Sequence, residues 1–293
     1  MKKLNQLISE LEVQLPILTF EEGLAAKLQL ARWNNFIDSN RTLKYSNDII
    51  ASTTATPDNP FRIQAQLSAG IAMLSNRRVA EAIATVKEAE DRAIATGNKN
   101  LAALASIYNL MLCPFNNAAR GKELVALLDN DPDINNSLQL KCQYHQSAAD
   151  FLRESDLQQA GVHLFKALDC SKQLQQPWIE GMVLCKLGML TENRHDLEAA
   201  QKFYADALPL LKEHGCSQYV FQVHICMSKL MITKKEYELA IQYAELAQNE
   251  AATINFNSGM DFATLHKITA LLWMNRTEEA EPIANALLSS NAA

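Results

Sequence analysis

Two short stretches of the sequence carry residue types that could do chemistry, His214-x-Cys216 and His224-x-Cys226. A histidine beside a thiol can ligate zinc or activate a sulfur nucleophile. The spacing argues against a metal pair. On a helix, residues i and i+2 point about 200° apart, and Gly215 interrupts the first pair. Zinc sites typically show C-x₂₋₄-C or H-x₃₋₅-H spacing. The six cysteines, at 113, 142, 170, 185, 216 and 226, contain no C-x-x-C. A cysteine–histidine nucleophile assembled in space stays open on sequence alone, although nothing singles one out. There is no G-x-x-x-x-G-K-[ST] loop and no G-x-G-x-x-G, so nucleotide binding has no support. No catalytic, cofactor-binding or metal-ligating residue is assigned, and no cofactor is expected.

The elements that would have to position such residues emerge from composition and periodicity. The chain has 293 residues, 48% of them apolar, which is ample material for a core. A formal charge of −6 argues against nucleic acid or an anionic membrane as partner. Basic residues cluster no further than the isolated pairs Lys2–Lys3, Arg77–Arg78 and Lys234–Lys235. No run approaches the roughly 20 apolar residues of a membrane span. MKKLNQLISELEVQL opens like a signal peptide, then places Ser, Glu and Gln where an apolar stretch would sit. It reads as an amphipathic helix over 2–15, with Leu4, Leu7, Ile8, Leu11 and Leu15 on one side. Scattered, unpaired cysteines indicate a reduced, cytoplasmic protein.

A small–large–small stripe then recurs. Ala160–Leu164–Ala167, Ala200–Tyr204–Ala207, Ala240–Ala244–Ala247 and Ala280–Ala284–Leu287 follow one another every 40 residues. Ala82–Val86–Ala89 repeats it earlier. Three and four residues apart share a helix face. Twelve residues before each leading alanine stand Gly70, Ala148, Gly188 and Ser228, with Ile268 as the exception. Small residues on two helices let their backbones approach, as antiparallel pairs require. SNRR (75–78), ESD (154–156), NRHD (193–196), TKKE (233–236) and NRTE (275–278) supply turns and start caps within units. Gly97, Asn135, Gly215 and Asn255 mark helix ends between units, as does Gln175–Gln176–Pro177. No stretch alternates as a strand would.

Fixed self-similarity with two helices per unit is the mark of an α-solenoid. GMVLCKLGMLTENRHDLEAAQKFYADAL (181–208) and KLMITKKEYELAIQYAELA (229–247) resemble tetratricopeptide repeats, with Leu187–Gly188, Ala200, Tyr204 and Ala207 at that family's spacing. The usual unit is 34 residues; this one is longer, as in the long-helix repeats of bacterial regulators, including the N-terminal regions of some GGDEF diguanylate cyclases. The resemblance implies an all-α, right-handed solenoid of about seven helix-turn-helix units with an extra N-terminal helix. The units are 20–53, 61–97, 98–131, 137–175, 177–215, 217–253 and 257–290. Residues 1–53 form a degenerate N-terminal region and 61–290 the repeat array, clearest over 137–290. The loop STTATPDNP (52–60) is a place where the first unit could decouple. Pro209 should kink its helix.

The resemblance also implies that the first helix of each unit presents ligand contacts on a concave face. Projected here, these are Cys142, His145, Ala149 and Leu152; Met182, Cys185, Met189 and Glu192; Gln222, Ile225, Lys229 and Ile232; and Phe262, Leu265, Thr269 and Leu272. The family's carboxylate clamp of Lys, Asn and Arg is absent from these places. The groove has two readings: an apolar peptide or amphipathic helix lies in it, or neighbouring units bury it. Trp33, Trp178 and Trp273 read as packing anchors, with Trp273 best placed for an exposed contact. The expected function is a non-enzymatic protein- or peptide-binding scaffold, the input region of a bacterial signalling protein such as a diguanylate cyclase or transcription regulator. A free-standing cytoplasmic adaptor or chaperone scaffold is the alternative. The helix 2–15 could cap the array or pair with its copy in a homodimer. With no solvating helix after the seventh unit, an output domain or partner is expected beyond Ala293.

Overall fold

The computed structural model describes residues 2–290. Sixteen α-helices and one 3-10 turn follow one another, with no strand among the described residues. Contacts divide the chain into two compact units, Met1–Pro177 and Trp178–Ala293. What the sequence suggests beyond Ser290 lies outside the described residues.

In the first unit, α1 (Leu4–Gln14) precedes four helix pairs: α2 (Phe20–Asn34) with α3 (Ser39–Ser52), α4 (Pro60–Ser75) with α5 (Val79–Ala95), α6 (Lys99–Asn116) with α7 (Ala118–Leu128), and α9 (Leu138–Leu152) with α10 (Leu157–Gln173). A five-residue helix, α8 (Pro132–Asn136), stands before α9. The second unit holds α11 (Pro177–Asn193), α12 (Leu197–His214), α13 (Ser217–Thr233), α14 (Tyr237–Thr253), α15 (Asn257–Trp273) and α16 (Thr277–Ser290). Here α13 packs on α12 and α14, and α15 on α14 and α16.

The stripes lie in the interfaces of these pairs. Ala82, Ala148, Ala160, Ala200, Tyr204, Ala207, Ser228, Ala240, Ala247 and Ala280 are all buried. A Cβ on Gly70 would stand 2.3 Å from Cγ2 of Val86, so only glycine lets α4 and α5 come this close. Ser228 keeps its place by donating to the Ala240 carbonyl at 2.9 Å. Thr42 does the same in the degenerate first pair, donating to the Ala31 carbonyl at 3.0 Å. Paired hydroxyls like these bury without leaving a group unsatisfied.

The turns carry the repeat independently. Left-handed backbone occurs at His195, Lys235 and Asn275 inside pairs, and at Gln175, Gly215 and Asn255 between them. Each set is spaced like the alanine stripes. The side-chain caps are fewer than the turn sequences suggested. Asp156 and Asp196 accept from backbone N–H groups of α10 and α12. Arg78 and Glu236, at the starts of α5 and α14, make no such bond; Arg78 instead pairs with Glu81 at 2.6 Å.

Two other expectations change. Asn135 is not a helix end: Asp131 caps a helix beginning at Pro132, and Asn135 falls inside it. Residues 53–59 do not decouple the first pair, because α3 packs along α4 and Arg62 donates to the Ile50 carbonyl across the connection. Pro209 lies inside α12, which continues from Leu197 to His214. At the N-terminus, α1 caps the first pair. Its Leu4 and Ile8 are buried, and Glu12 takes hydrogen bonds from Arg41 and Tyr45 of α3.

Candidate functional site

All four residues of the two His-x-Cys stretches are buried. His214 ends α12 and packs on Trp178, with ring centroids 5.2 Å apart. Cys216 is buried at the start of α13, where burial pushes its thiol up to about 12. His224 and Cys226 are both buried on α13. Burial first, then the Lys212 charge, holds His224 at about 4, so the ring is neutral at pH 7. Cys113 is likewise raised, to about 11, mainly by burial. A protonated thiol is a poor nucleophile, so Cys113 and Cys216 serve packing. Among the described residues no cluster of three His, Cys, Asp or Glu side chains could hold a metal.

A buried histidine pair in the first unit escaped the sequence reading. Nδ1 of His145 on α9 lies 3.0 Å from Nδ1 of His163 on α10. Such a contact needs one ring to donate and the other to accept, so at least the accepting ring is neutral. Burial is the largest cause holding both below the ordinary histidine value, His145 at about 4. Tyr144 packs against them, tilted to His145 and edge-on to His163, and donates to Asp129 at 3.1 Å.

The projected ligand-contact places show a gradient. The second-place residues run from buried Cys142 and Met182 through half-buried Gln222 to exposed Phe262. In the fifth place, His145, Cys185 and Ile225 are buried, whereas Leu265 is exposed. Cys142, His145, Met182, Cys185 and Ile225 are therefore packed inside rather than presented to a ligand. Met189 is half-buried and Lys229 open. The accessible part of the row thus belongs to α13 and α15, where Leu272 and Trp273 extend it; Trp273 is 65% exposed.

Behind this open stretch stands a buried carboxylate. Glu192, at the last turn of α11, accepts from the Tyr204 hydroxyl of α12 at 2.9 Å. Its other oxygen meets Lys229 Nζ of α13 at 2.8 Å, the glutamate side chain 8% and the lysine 60% exposed. His266 of α15 lies in the same field: burial, then Lys229, lower its proton affinity, while Glu192 raises it. Phe262 packs on His266 at 4.9 Å between centroids. The result is an apolar surface with one exposed cation fixed at its edge. It is suited to binding.

The first unit holds a different feature, an open cavity of about 300 Å³ between α2, α4, α6 and α9. Arg32 of α2 reaches it and donates to Oε1 of Gln64 at 2.6 Å. Sequence spacing does not mark this place, because its residues come from four separated helices with no common spacing.

No protein-family model and no curated protein sequence matches the chain. Solved structures do. The signal transduction ATPase with numerous domains from Pyrococcus horikoshii, which carries a tetratricopeptide repeat sensor, aligns with 94% of this chain at 16% identity and a TM-score of 0.64. This chain spans about half of that protein, 47%. A Rap protein complexed with competence and sporulation factor aligns over 97% of this chain and 87% of its own, at 12% identity and a TM-score of 0.67. NprR in complex with its cognate peptide NprX aligns over 99% and 83%, at 15% identity and a TM-score of 0.59. At such identities the likeness is one of fold: all-α, of the tetratricopeptide-like solenoid class.

Proposed function

We propose that this chain is a non-enzymatic, cytoplasmic scaffold that binds a peptide or a protein segment, and that it serves as the sensory or regulatory input of a bacterial signalling protein. The observation that carries the reading is the open row on α13 and α15. Phe262, Leu265, Leu272 and Trp273 expose large apolar side chains on one helix, beside the fixed charge of Lys229. Exposed apolar patches rimmed by polar residues mark interaction sites, and an amphipathic helix laid in an apolar groove is a common mode. The ligand would place its apolar face on α15 and an acidic residue near Lys229. Support from outside comes from the Rap and NprR structures, whose complexes hold competence and sporulation factor and the peptide NprX. A diguanylate cyclase or a transcription regulator is the output we favour. Self-association, if the signal uses it, would run through the exposed Val13, Ile17 and Phe20 beside α1.

The test is retention of partners from lysate of the source cells on immobilised full-length chain, compared with the double variant Phe262→Glu/Leu265→Glu. Both positions are exposed, so the variant should keep its helical melting curve. A partner held by the wild type and lost by the variant supports the reading. Equal retention by both would refute it.

A further inference from the structure

Two thiols meet inside the second unit. Cys185 of α11 and Cys226 of α13 are both buried, and both are reduced. The Cys185 thiol donates a hydrogen bond to the Cys226 sulfur. Gln222, one turn earlier on α13, donates from Nε2 to the same sulfur at 3.4 Å. A second rung holds the two helix faces together. Glu192 follows Cys185 by two turns and Lys229 follows Cys226 by one, each on its cysteine's own face. Their side chains meet at 2.8 Å. The Tyr204 hydroxyl of α12, which donates to Glu192, lies close enough to both sulfurs to feel their charge.

Two donors on one sulfur favour its ionised form. The hydrogen bond from Cys185, with that from Gln222, lowers the Cys226 thiol below the ordinary cysteine value, although burial acts the other way. Burial raises Cys113, Cys170 and Cys216 instead. A sulfur that ionises readily, beside a second thiol able to resolve it, is the arrangement of a redox-active dithiol. Cys226 also stands nearer the open row. It is 6% exposed against 1% for Cys185, on the face between half-buried Gln222 and open Lys229.

We propose that Cys185 and Cys226 form a peroxide-sensitive dithiol, a reversible covalent modification site that ties α11 to α13. The Cys226 thiolate attacks one oxygen of a hydroperoxide. The S–O bond forms, the O–O bond breaks, and the other oxygen takes up a proton and leaves as water or an alcohol. Cys226 is then a sulfenic acid. The Cys185 sulfur attacks it, the S–S bond forms and the S–O bond breaks, and the hydroxyl departs with the Cys185 proton as water. The two thiols lose two electrons and the peroxide gains them. A dithiol reductant reverses the step by exchange, so in a reducing compartment the bond is transient. A disulfide is about 2.05 Å long, so the sulfurs close from hydrogen-bond contact and carry their helices with them. Lys229 rides on the same face of α13, and oxidation therefore bears on its pairing with Glu192. None of this requires a ligand on the α13–α15 row.

The test treats the full chain with a small molar excess of hydrogen peroxide, unfolds it, blocks the remaining thiols with a maleimide and maps the peptides without reduction by mass spectrometry. The expected product is one intramolecular link between Cys185 and Cys226, with Cys113, Cys142, Cys170 and Cys216 recovered as thiols. Dithiothreitol should restore all six. Cys226 should lose its thiol at least about tenfold faster than Cys113, since each unit of proton affinity changes the thiolate fraction about tenfold. Cys185→Ala removes the resolving thiol, so oxidation should stop at a Cys226 sulfenic acid that dimedone labels. Survival of all the thiols in the wild type overturns the proposal without reference to any variant. Oxidation spread evenly over the cysteines, or links only between chains, would overturn it as well. Dimedone labelling of another cysteine in Cys185→Ala would remove Cys226 as the attacking sulfur.

Discussion

Gly188→Ala is the smallest change that tests how the second unit is built. A Cβ at Gly188 would lie 2.4 Å from Cε1, 2.6 Å from Cδ1 and 2.9 Å from Cζ of Tyr204. The ring must move, and it has little freedom, being fully buried with its hydroxyl bound to Glu192 at 2.9 Å. Overpacking costs about 1–3 kcal/mol. If the ring swings away, a hydrogen bond to a carboxylate is lost, about 1.5–3 kcal/mol. Alanine returns up to about 1 kcal/mol through its better helix propensity. The balance is a loss of about 1.5–5 kcal/mol, against the sign that propensity alone would give. The matched control is Gly23→Ala in α2, where an added Cβ meets nothing within 4 Å. That change should be neutral or stabilise by up to about 1 kcal/mol. Urea unfolding followed by Trp178 fluorescence, in a Trp33→Phe/Trp273→Phe background, reports on the second unit, because Trp178 is buried against His214. An unchanged or raised midpoint for Gly188→Ala would refute the packing described for α11 and α12.

Other consequences can be checked by the same means. Burial holds His145 and His224 at about 4, below about 6.5 in the unfolded chain. Between these values the unfolded state binds more protons, so stability is full above pH 6.5 and is lost as pH falls towards 4. Melting temperature should therefore drop between pH 7 and 5, and His224→Leu should flatten the slope. Lys235 adopts φ 62° in the turn between α13 and α14. A left-handed residue other than glycine is strained by roughly 1–2 kcal/mol, so Lys235→Gly should stabilise by about 0.5–1 kcal/mol after the added chain entropy of glycine; a lower denaturation midpoint would contradict this. Tyr204→Phe keeps the ring and removes the hydroxyl that Glu192 accepts from. It should cost about 1–3 kcal/mol, measured by the same urea titration.

The fold was legible because its determinants are local and repeated. A glycine facing a tyrosine ring, as at Gly188 and Tyr204, leaves a trace at fixed spacing whatever the rest of the unit does. Where the trace is weak, the structure departs most. After Pro114 and Asn117, α7 shortens to 11 residues and α8 is inserted, and no stripe marks that stretch. Capping was only half legible. An aspartate such as Asp196 announces its role by type, but at TKKE the turn is made by backbone conformation, and Glu236 makes no side-chain capping bond.

The candidate sites were less legible, for a physical reason. Projection onto a helix gives the direction of a side chain, whereas accessibility depends on what the rest of the fold places in that direction. Cys142, Met182, Gln222 and Phe262 occupy the same place in successive first helices, yet they run from buried to exposed. Within the second unit, α11 and α13 are each followed by another first helix, and α15 is followed among the described residues by α16 alone. Burial of an inward place therefore reports its position in the array more than its residue type, which is why soft residues such as Cys185 and Met182 end in the core. Where the row opens, residue type decides again. Glu192 could not remain buried as a carboxylate without partners, and it has two, one from α12 and one from α13. Its second partner fixes Lys229 at the border of the open apolar surface. A ligand acid that drew Lys229 away would leave Glu192 with the Tyr204 hydroxyl alone, so binding at α13 would be felt at the contact between α11 and α12.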